Sequence, residues 1–275
     1  MRQNGERLLL LWHYTFNIYG VAVLLFLILP VLIIIPLSFN AGSFLSYPIS
    51  GLSLRWYQTF FHSQEWMGAL ANSLMIAPLA TLLATILGVM ASVGLVRGDF
   101  RGKNLMMAII ISPMIAPVVI IAVGMFFFYA KVSLLNSYTG LVIAHAILGV
   151  PFVVITVTAV LKNFDNRLTN AAVSLGASPL LSFRKITLPL IAPGVFSGAL
   201  FAFASSFDEV VVTLFLASPQ QRTLPIQMFA GIRENLDPTI AAAATIMIGA
   251  SLALLIVVEI LRRHGERMRG AHNAT

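Results

Sequence analysis

Asn170-Ala-Ala-Val-Ser-Leu-Gly-Ala-Ser-Pro179, running on to Ile186-Thr-Leu-Pro189, is the stretch whose reading decides this chain. Leu168, Ala171, Ala172 and Leu175 fall at i, i+3, i+4 and i+7, so a short helix here has one apolar, mostly small-residued face suited to the close approach of another protein. Gly176 stops that helix, because glycine tolerates the left-handed conformation that commonly closes one. Ser178 then supplies an N-cap and Pro179 a first-turn proline for a second helix. The pattern predicts helix, sharp turn, helix, set between membrane spans: a docking device.

The surroundings make it a membrane protein. Of 275 residues, 59% are hydrophobic and only 10% charged, and the mean hydropathy is +0.92; a soluble domain lies far from these values. A bilayer core needs roughly 20 apolar residues per helix. Six such runs occur, approximately Asn17–Leu37, Ala69–Val96, Leu105–Ala130, Leu141–Leu161, Leu190–Leu216 and Ile240–Leu261. The first follows a basic segment, but it exceeds the apolar length of a secretory signal and lacks a convincing small-residue cleavage site, so it is expected to be retained.

With the N-terminus inside, thirteen of the seventeen Lys and Arg fall on inner segments. They are Arg2 and Arg7; Arg97, Arg101 and Lys103; Lys162, Arg167, Arg184 and Lys185; and Arg262, Arg263, Arg267 and Arg269. Only Arg55, Lys131, Arg222 and Arg233 fall outside. The positive-inside rule then places both termini, and the docking turn with them, in the cytoplasm. The same asymmetry, with attraction to anionic lipid, accounts for the net charge of +7 without a nucleic-acid partner.

Catalytic chemistry finds no support. There is no cysteine, His13, His62, His145, His264 and His272 are scattered, and neither a His-Glu-x-x-His motif nor a glycine-rich phosphate loop occurs. The chain is therefore not expected to be an enzyme or to bind a cofactor. If ATP drives it, a second polypeptide holds the ATP and Mg. His145, near the start of the fourth span, reads as an interfacial or hydrogen-bonded residue rather than a ligand.

Between the first two spans, the aromatic-rich segment Asn40–Gly68 fits a helix lying at the outer interface or part of a platform that receives another protein. The polar stretch Ala217–Thr239 is the better platform candidate and is taken as a loop. Pro113, Pro117 and Pro151 mark either kinks beside a pathway or ordinary packing geometry. Gly88, Ala91 and Gly94 form a small-residue face for helix packing.

Asp208 and Glu209 are the only pair of acids inside an apolar span. A carboxylate near a bilayer centre costs on the order of 2.5–3.5 kcal/mol on insertion scales, and no base in the span offsets it. Neighbours on a helix point about 100° apart, so both cannot face one way unless the helix breaks. Asp208 is placed toward a substrate pathway, with Glu209 assigned beside it and its direction left open; anchoring of loops or of a partner subunit is the alternative.

The residues from Asn170 to Gly176, then Ile186-Thr-Leu-Pro189, resemble the cytoplasmic loop of inner-membrane permease subunits of binding-protein-dependent ABC importers, which carries Glu-Ala-Ala, a glycine four residues on, and Ile-x-Leu-Pro. Asn170 stands where that family has glutamate, so an amide hydrogen bond would replace an ion pair and the partner is expected to compensate. Ser206-Phe-Asp-Glu-Val-Val-Val212, Phe152-Val-Val-Ile-Thr-Val157, Lys162-Asn-Phe-Asp165 and Phe100-Arg-Gly-Lys103 are further similar to spermidine/putrescine permeases, with Glu209 in place of a second aspartate.

The resemblance implies an all-α, polytopic fold of six transmembrane helices with type I ABC importer permease architecture, in the bacterial inner membrane. It implies an N-terminal span and outer segment over 1–68, a permease core over 69–262 with its coupling loop at 163–188, and a basic cytoplasmic tail at 263–275. Asn170, Ala171, Ala172, Leu175 and Gly176, with Arg184 and Lys185 beside them, would dock an ATPase. A homologous permease subunit, two ATP-binding subunits and a periplasmic solute-binding protein would complete an importer of polyamine, or of an amino acid or related solute. A secondary transporter would instead need a coupling-ion site and repeat symmetry, neither of which is visible. A structural membrane subunit would not need an acidic pair in an apolar span.

Overall fold

A computed structural model describes the backbone over residues 2–234 and 236–272, and side-chain surroundings over 12–233, 236–257 and 260. The side chains of Arg2, Arg7, Arg262, Arg263, Arg267 and Arg269, and of the tail 263–275 as a whole, lie outside the described residues. The described elements are helical: α1 (Arg2–Ser38), α2 (Arg55–His62), α3 (Gln64–Arg97), α4 (Lys103–Ile115), α5 (Val118–Lys131), α6 (Tyr138–Lys162), α7 (Asn166–Ser174), α8 (Pro179–Ser182), α9 (Leu188–Phe207), α10 (Val211–Leu216), α11 (Leu224–Glu234) and α12 (Thr239–His272). Among the described residues, five stretches are long and apolar enough to cross a membrane: Trp12–Ser38 of α1, α3, α6, the rod from α8 through α9, and the first part of α12. The α4–α5 pair makes a sixth if it counts as one span.

Two compact units are formed: residues 1–63 with 231–248, and residues 64–230 with 249–275. In the first, the Trp12–Ser38 part of α1 is a strongly apolar stretch, and no residue of its membrane-length window is buried, as for a helix whose surroundings are lipid. The chain then turns on Asn40, which is 1% exposed. Its side-chain oxygen accepts from the Gly42 and Ser50 amides, its Nδ2 donates to the Phe44 carbonyl, and its own carbonyl accepts from Trp56 Nε1 at 2.8 Å. The amphipathic helix α2 follows, with Trp56 and Phe60 buried.

The second unit is built on α3, α6 and α9. α6 is the middle helix, with 56% of its membrane-length window buried. Small residues let its neighbours approach. A Cβ added at Gly149 of α6 would meet Ala84 of α3 and Ala202 of α9, and one added at Gly88 of α3 or Gly198 of α9 would collide with Val153 of α6. Ala80, Ala84, Val89, Val153, Val157, Ile191 and Ala202 fill that seam. Of the small-residue face expected on the second span, Gly88 makes the contact and Gly94 faces open space; the close-packed stripe runs through Ala80 and Ala84 instead. A second cluster joins α3, α5, α6 and α10 through Ile76, Ala122, Tyr129, Leu141, Val212 and Leu216.

Three segments depart from the sequence reading. The third span, expected as one run over Leu105–Ala130, is bent by 106° between α4 and α5. Pro117 lacks an amide hydrogen and holds Ala116 extended, at φ −70° and ψ 143°. Pro113 and Pro151 lie inside α4 and α6 without interrupting them. The fifth span, expected as one run over Leu190–Leu216, stops at Phe207 and restarts as α10 at Val211. The stretch Ala217–Thr239, taken as a loop, contains a 3₁₀ turn over Pro219–Gln221 and the helix α11.

Candidate functional site

The α7–α8 turn is assembled from its caps. Asp165 accepts from the Arg167 amide at 2.9 Å and starts α7. Gly176 ends it at φ +88°, with the Gly176 amide on the Val173 carbonyl at 2.9 Å and the Ala177 amide on the Ala172 carbonyl at 3.0 Å, the paired bonds of a Schellman closure. Ser178 accepts from the Leu181 amide and Pro179 occupies the first turn of α8. A π-helical turn over Phe183–Thr187 then runs without a break into α9. The turn is thus continuous, through α8, with the helical rod of α9.

No residue of α7 is buried. Leu175 is 89% exposed, and Leu168 and Val173 are about half exposed. Asn170, Ala171, Gly176, Arg184 and Lys185 are exposed as well, and Ala172 is half-buried. The structure therefore brings the predicted docking residues onto one small knob with an uncovered apolar surface.

The break between α9 and α10 forms the second constellation. Asp208 ends α9 and is exposed, whereas Glu209 is 9% exposed. Glu209 Oε1 accepts from the Val211 and Val212 amides, and Oε2 from the Thr213 amide, each at 3.0 Å. These are the orphan donors at the start of α10, so the carboxylate replaces the backbone bonds that the break removes. The two acids therefore separate: one caps a helix, and one faces outward.

His145 fastens this break to α6. Its Nδ1 lies 2.8 Å from Ser206 Oγ in the last turn of α9, and its Nε2 lies 2.9 Å from Thr213 Oγ1 in α10. The Thr213 hydroxyl donates onward to Glu209 Oε2 at 3.4 Å. At 1% exposure His145 is buried rather than interfacial. Nothing in the sequence links position 145 with 206 and 213, so this network was not legible; the N-cap Asp165 carried a signal, standing directly before the apolar period of α7.

Asp208 borders a cleft of about 400 Å³, with Pro113 and Met114 of α4, Phe152 of α6 and Ser205 of α9 among its walls. The Phe152 and Phe201 rings stack with centroids 6.1 Å apart. At another end of the same unit, Asn72 donates to the Gln220 and Arg222 carbonyls and accepts from Tyr138 Oη at 3.0 Å. Those bonds fix the segment that enters α11.

Residues 84–268 match the family described as binding-protein-dependent transport system inner membrane component, which is more than half of the chain. The chain belongs to this family. A spermidine/putrescine transport system permease protein of Haemophilus influenzae is 34% identical over 248 residues, covering 90% of this chain and 96% of the relative. A sulfoquinovosyl glycerol transport system permease protein of Agrobacterium fabrum is 32% identical, covering 74% and 72%. In fold, the chain is similar to a bacterial ABC transporter involved in the import of the acidic polysaccharide alginate, with a TM-score of 0.67 at 18% identity over 90% of this chain and 95% of that one. The protein is thus a multi-pass inner-membrane permease subunit of an ABC importer. Such a subunit works with separate ATPase subunits and a solute-binding protein, and is itself a transport component rather than an enzyme.

Proposed function

We propose that this permease lines the pathway for a small cationic solute of the polyamine class. Both termini and the α7–α8 turn would lie on the cytoplasmic side. Asp208 carries the reading: an exposed carboxylate where an apolar span is interrupted, beside a cleft walled by Met114 and Phe152. Among the described residues, no Lys or Arg forms an ion pair with it. A linear polyamine joins ammonium groups through methylene spacers, so it offers a charge to the carboxylate and hydrocarbon and cation–π contact to the apolar walls. A sulfonated or carboxylated solute would be repelled at this point.

The near-complete match to a permease named for spermidine and putrescine supports this class. Identity alone does not, since a permease named for a sugar derivative is almost as similar over a shorter stretch. The inner excess of basic residues supports the orientation, which puts the turn where ATP is found. A homologous second permease would complete the pathway. Two ATPase subunits would grip Asn170, Ala171, Ala172, Leu175 and Gly176, with Arg184 and Lys185 beside them, and a periplasmic binding protein would deliver the solute. ATP binding then favours an outward-open state to the extent that the turn binds better in that state, and hydrolysis resets it.

Asp208→Asn tests the pathway assignment. Loss of a charge-assisted contact predicts a rise in KM for putrescine of about tenfold or more in vesicles containing the full complex, with assembly unchanged. Uptake unaltered across putrescine concentrations would remove Asp208 from the pathway.

A further inference from the structure

Arg97, the last residue of α3, reaches across to both ends of the docking segment. Its Nη2 donates to Thr187 Oγ1 at 2.9 Å, where the π-helical turn passes into α9. Its guanidinium carbon lies 5.4 Å from the centre of the Phe164 ring, between α6 and α7. Phe164 leads into the docking turn and Thr187 leads out of it, so one side chain closes the base of the loop onto a third span. Thr187 is fully buried, which holds the acceptor in place. Lys103 fixes the donor end as well: its Nζ bonds the Gly98 carbonyl at 3.1 Å and so ties the end of α3 down.

We infer that Arg97 is a positioning residue for energy coupling, gripping entry and exit of the docking turn so that its displacement moves α3 together with α6 and α9. This rests on the docking reading of α7 and α8. The planar guanidinium suits the role, because it can hydrogen-bond at its edge while presenting charge to a ring, which a lysine ammonium does only as a point charge. The π-helical turn adds a reason for a clamp at this place: its wider hydrogen-bonding leaves a site where a helix shifts register, and Arg97 holds its last residue.

The test uses the complete transporter in vesicles and measures ATP hydrolysed per putrescine imported, with co-purification of the ATPase subunits as the assembly control. Arg97→Gln is expected to raise that ratio several-fold while assembly persists. Thr187→Val, nearly isosteric, should raise it too, and the double variant should do no worse than Arg97→Gln alone. An unchanged ratio in Arg97→Gln, or additive effects in the double variant, would overturn the clamp. Gly176→Trp separates the two readings. If it uncouples while Arg97→Gln does not, the clamp fails and docking stands; if neither changes coupling, the docking reading fails and the clamp with it.

Discussion

Both ring nitrogens of His145 meet hydroxyls, Ser206 on one side and Thr213 on the other, so the ring joins three helices and offers no free position to a ligand. The arrangement is self-consistent: with the proton on Nε2, His145 donates to Thr213, Thr213 donates to Glu209, and Ser206 donates to Nδ1. His145→Leu would leave the Ser206 hydroxyl without its partner, at about 1–3 kcal/mol for an unsatisfied group, and leave the Thr213 hydroxyl with Glu209 alone. A lower thermal midpoint of the purified complex is therefore expected, with partial recovery in His145→Gln. A midpoint unchanged in the leucine variant would contradict the network. The same residues show what a sequence leaves unread. The acids at 208 and 209 were visible as an anomaly, because charge in an apolar run is costly. Their division of labour was not, since it depends on a helix break that the apolar run through Leu216 conceals.

Among the elements, the α7–α8 turn was the most legible. Its caps are local, and each of Asp165, Gly176, Ser178 and Pro179 acts on a backbone group within a few residues. The bend between α4 and α5 was less so. Pro117 announced a kink, but Pro113 and Pro151 announced the same and sit inside unbroken helices. Which proline breaks a membrane helix depends on what surrounds it, and a single sequence does not contain that. Gly176 permits a clean prediction at this scale. It lies at φ +88°, and an added Cβ would meet no atom of this chain within 4 Å. Inside the permease, Gly176→Ala therefore costs only left-handed strain, about 1–2 kcal/mol, whereas Gly176→Trp adds bulk that only a docked partner would feel. Uptake should fall moderately with alanine and be abolished with tryptophan, while the quantity of folded permease in the membrane stays similar. Equal uptake by the two variants would count against a partner at this surface.

At the largest scale, the second unit is organised around α6. Gly88 of α3 and Gly198 of α9 admit Val153, and Gly149 meets Ala84 and Ala202, so α3 and α9 close on α6 with little slack. Ser92 adds a polar tie, bonding the Gly88 carbonyl of its own helix at 2.7 Å and approaching the Val154 carbonyl at 3.4 Å. A displacement of the α7–α8 turn would enter α9 directly, because α8, the π-helical turn and α9 are continuous. It would then reach the Asp208 break at the far end of the same rod. The apolar runs were legible because a bilayer imposes a length on every crossing, and among the described residues they give five spans, or six with α4–α5 taken as one; the close packing of α3 and α9 on α6 was not, because it runs through contacts between residues distant in sequence. The measurement that tests the account most directly is ATP-dependent uptake of labelled putrescine and spermidine into vesicles holding this permease with its cognate permease, ATPase and binding-protein partners, with unlabelled amino acids as competitors. The account predicts uptake that requires ATP and is blocked by polyamines alone. ATP-dependent import of another solute, with polyamines neither carried nor competing, would contradict it.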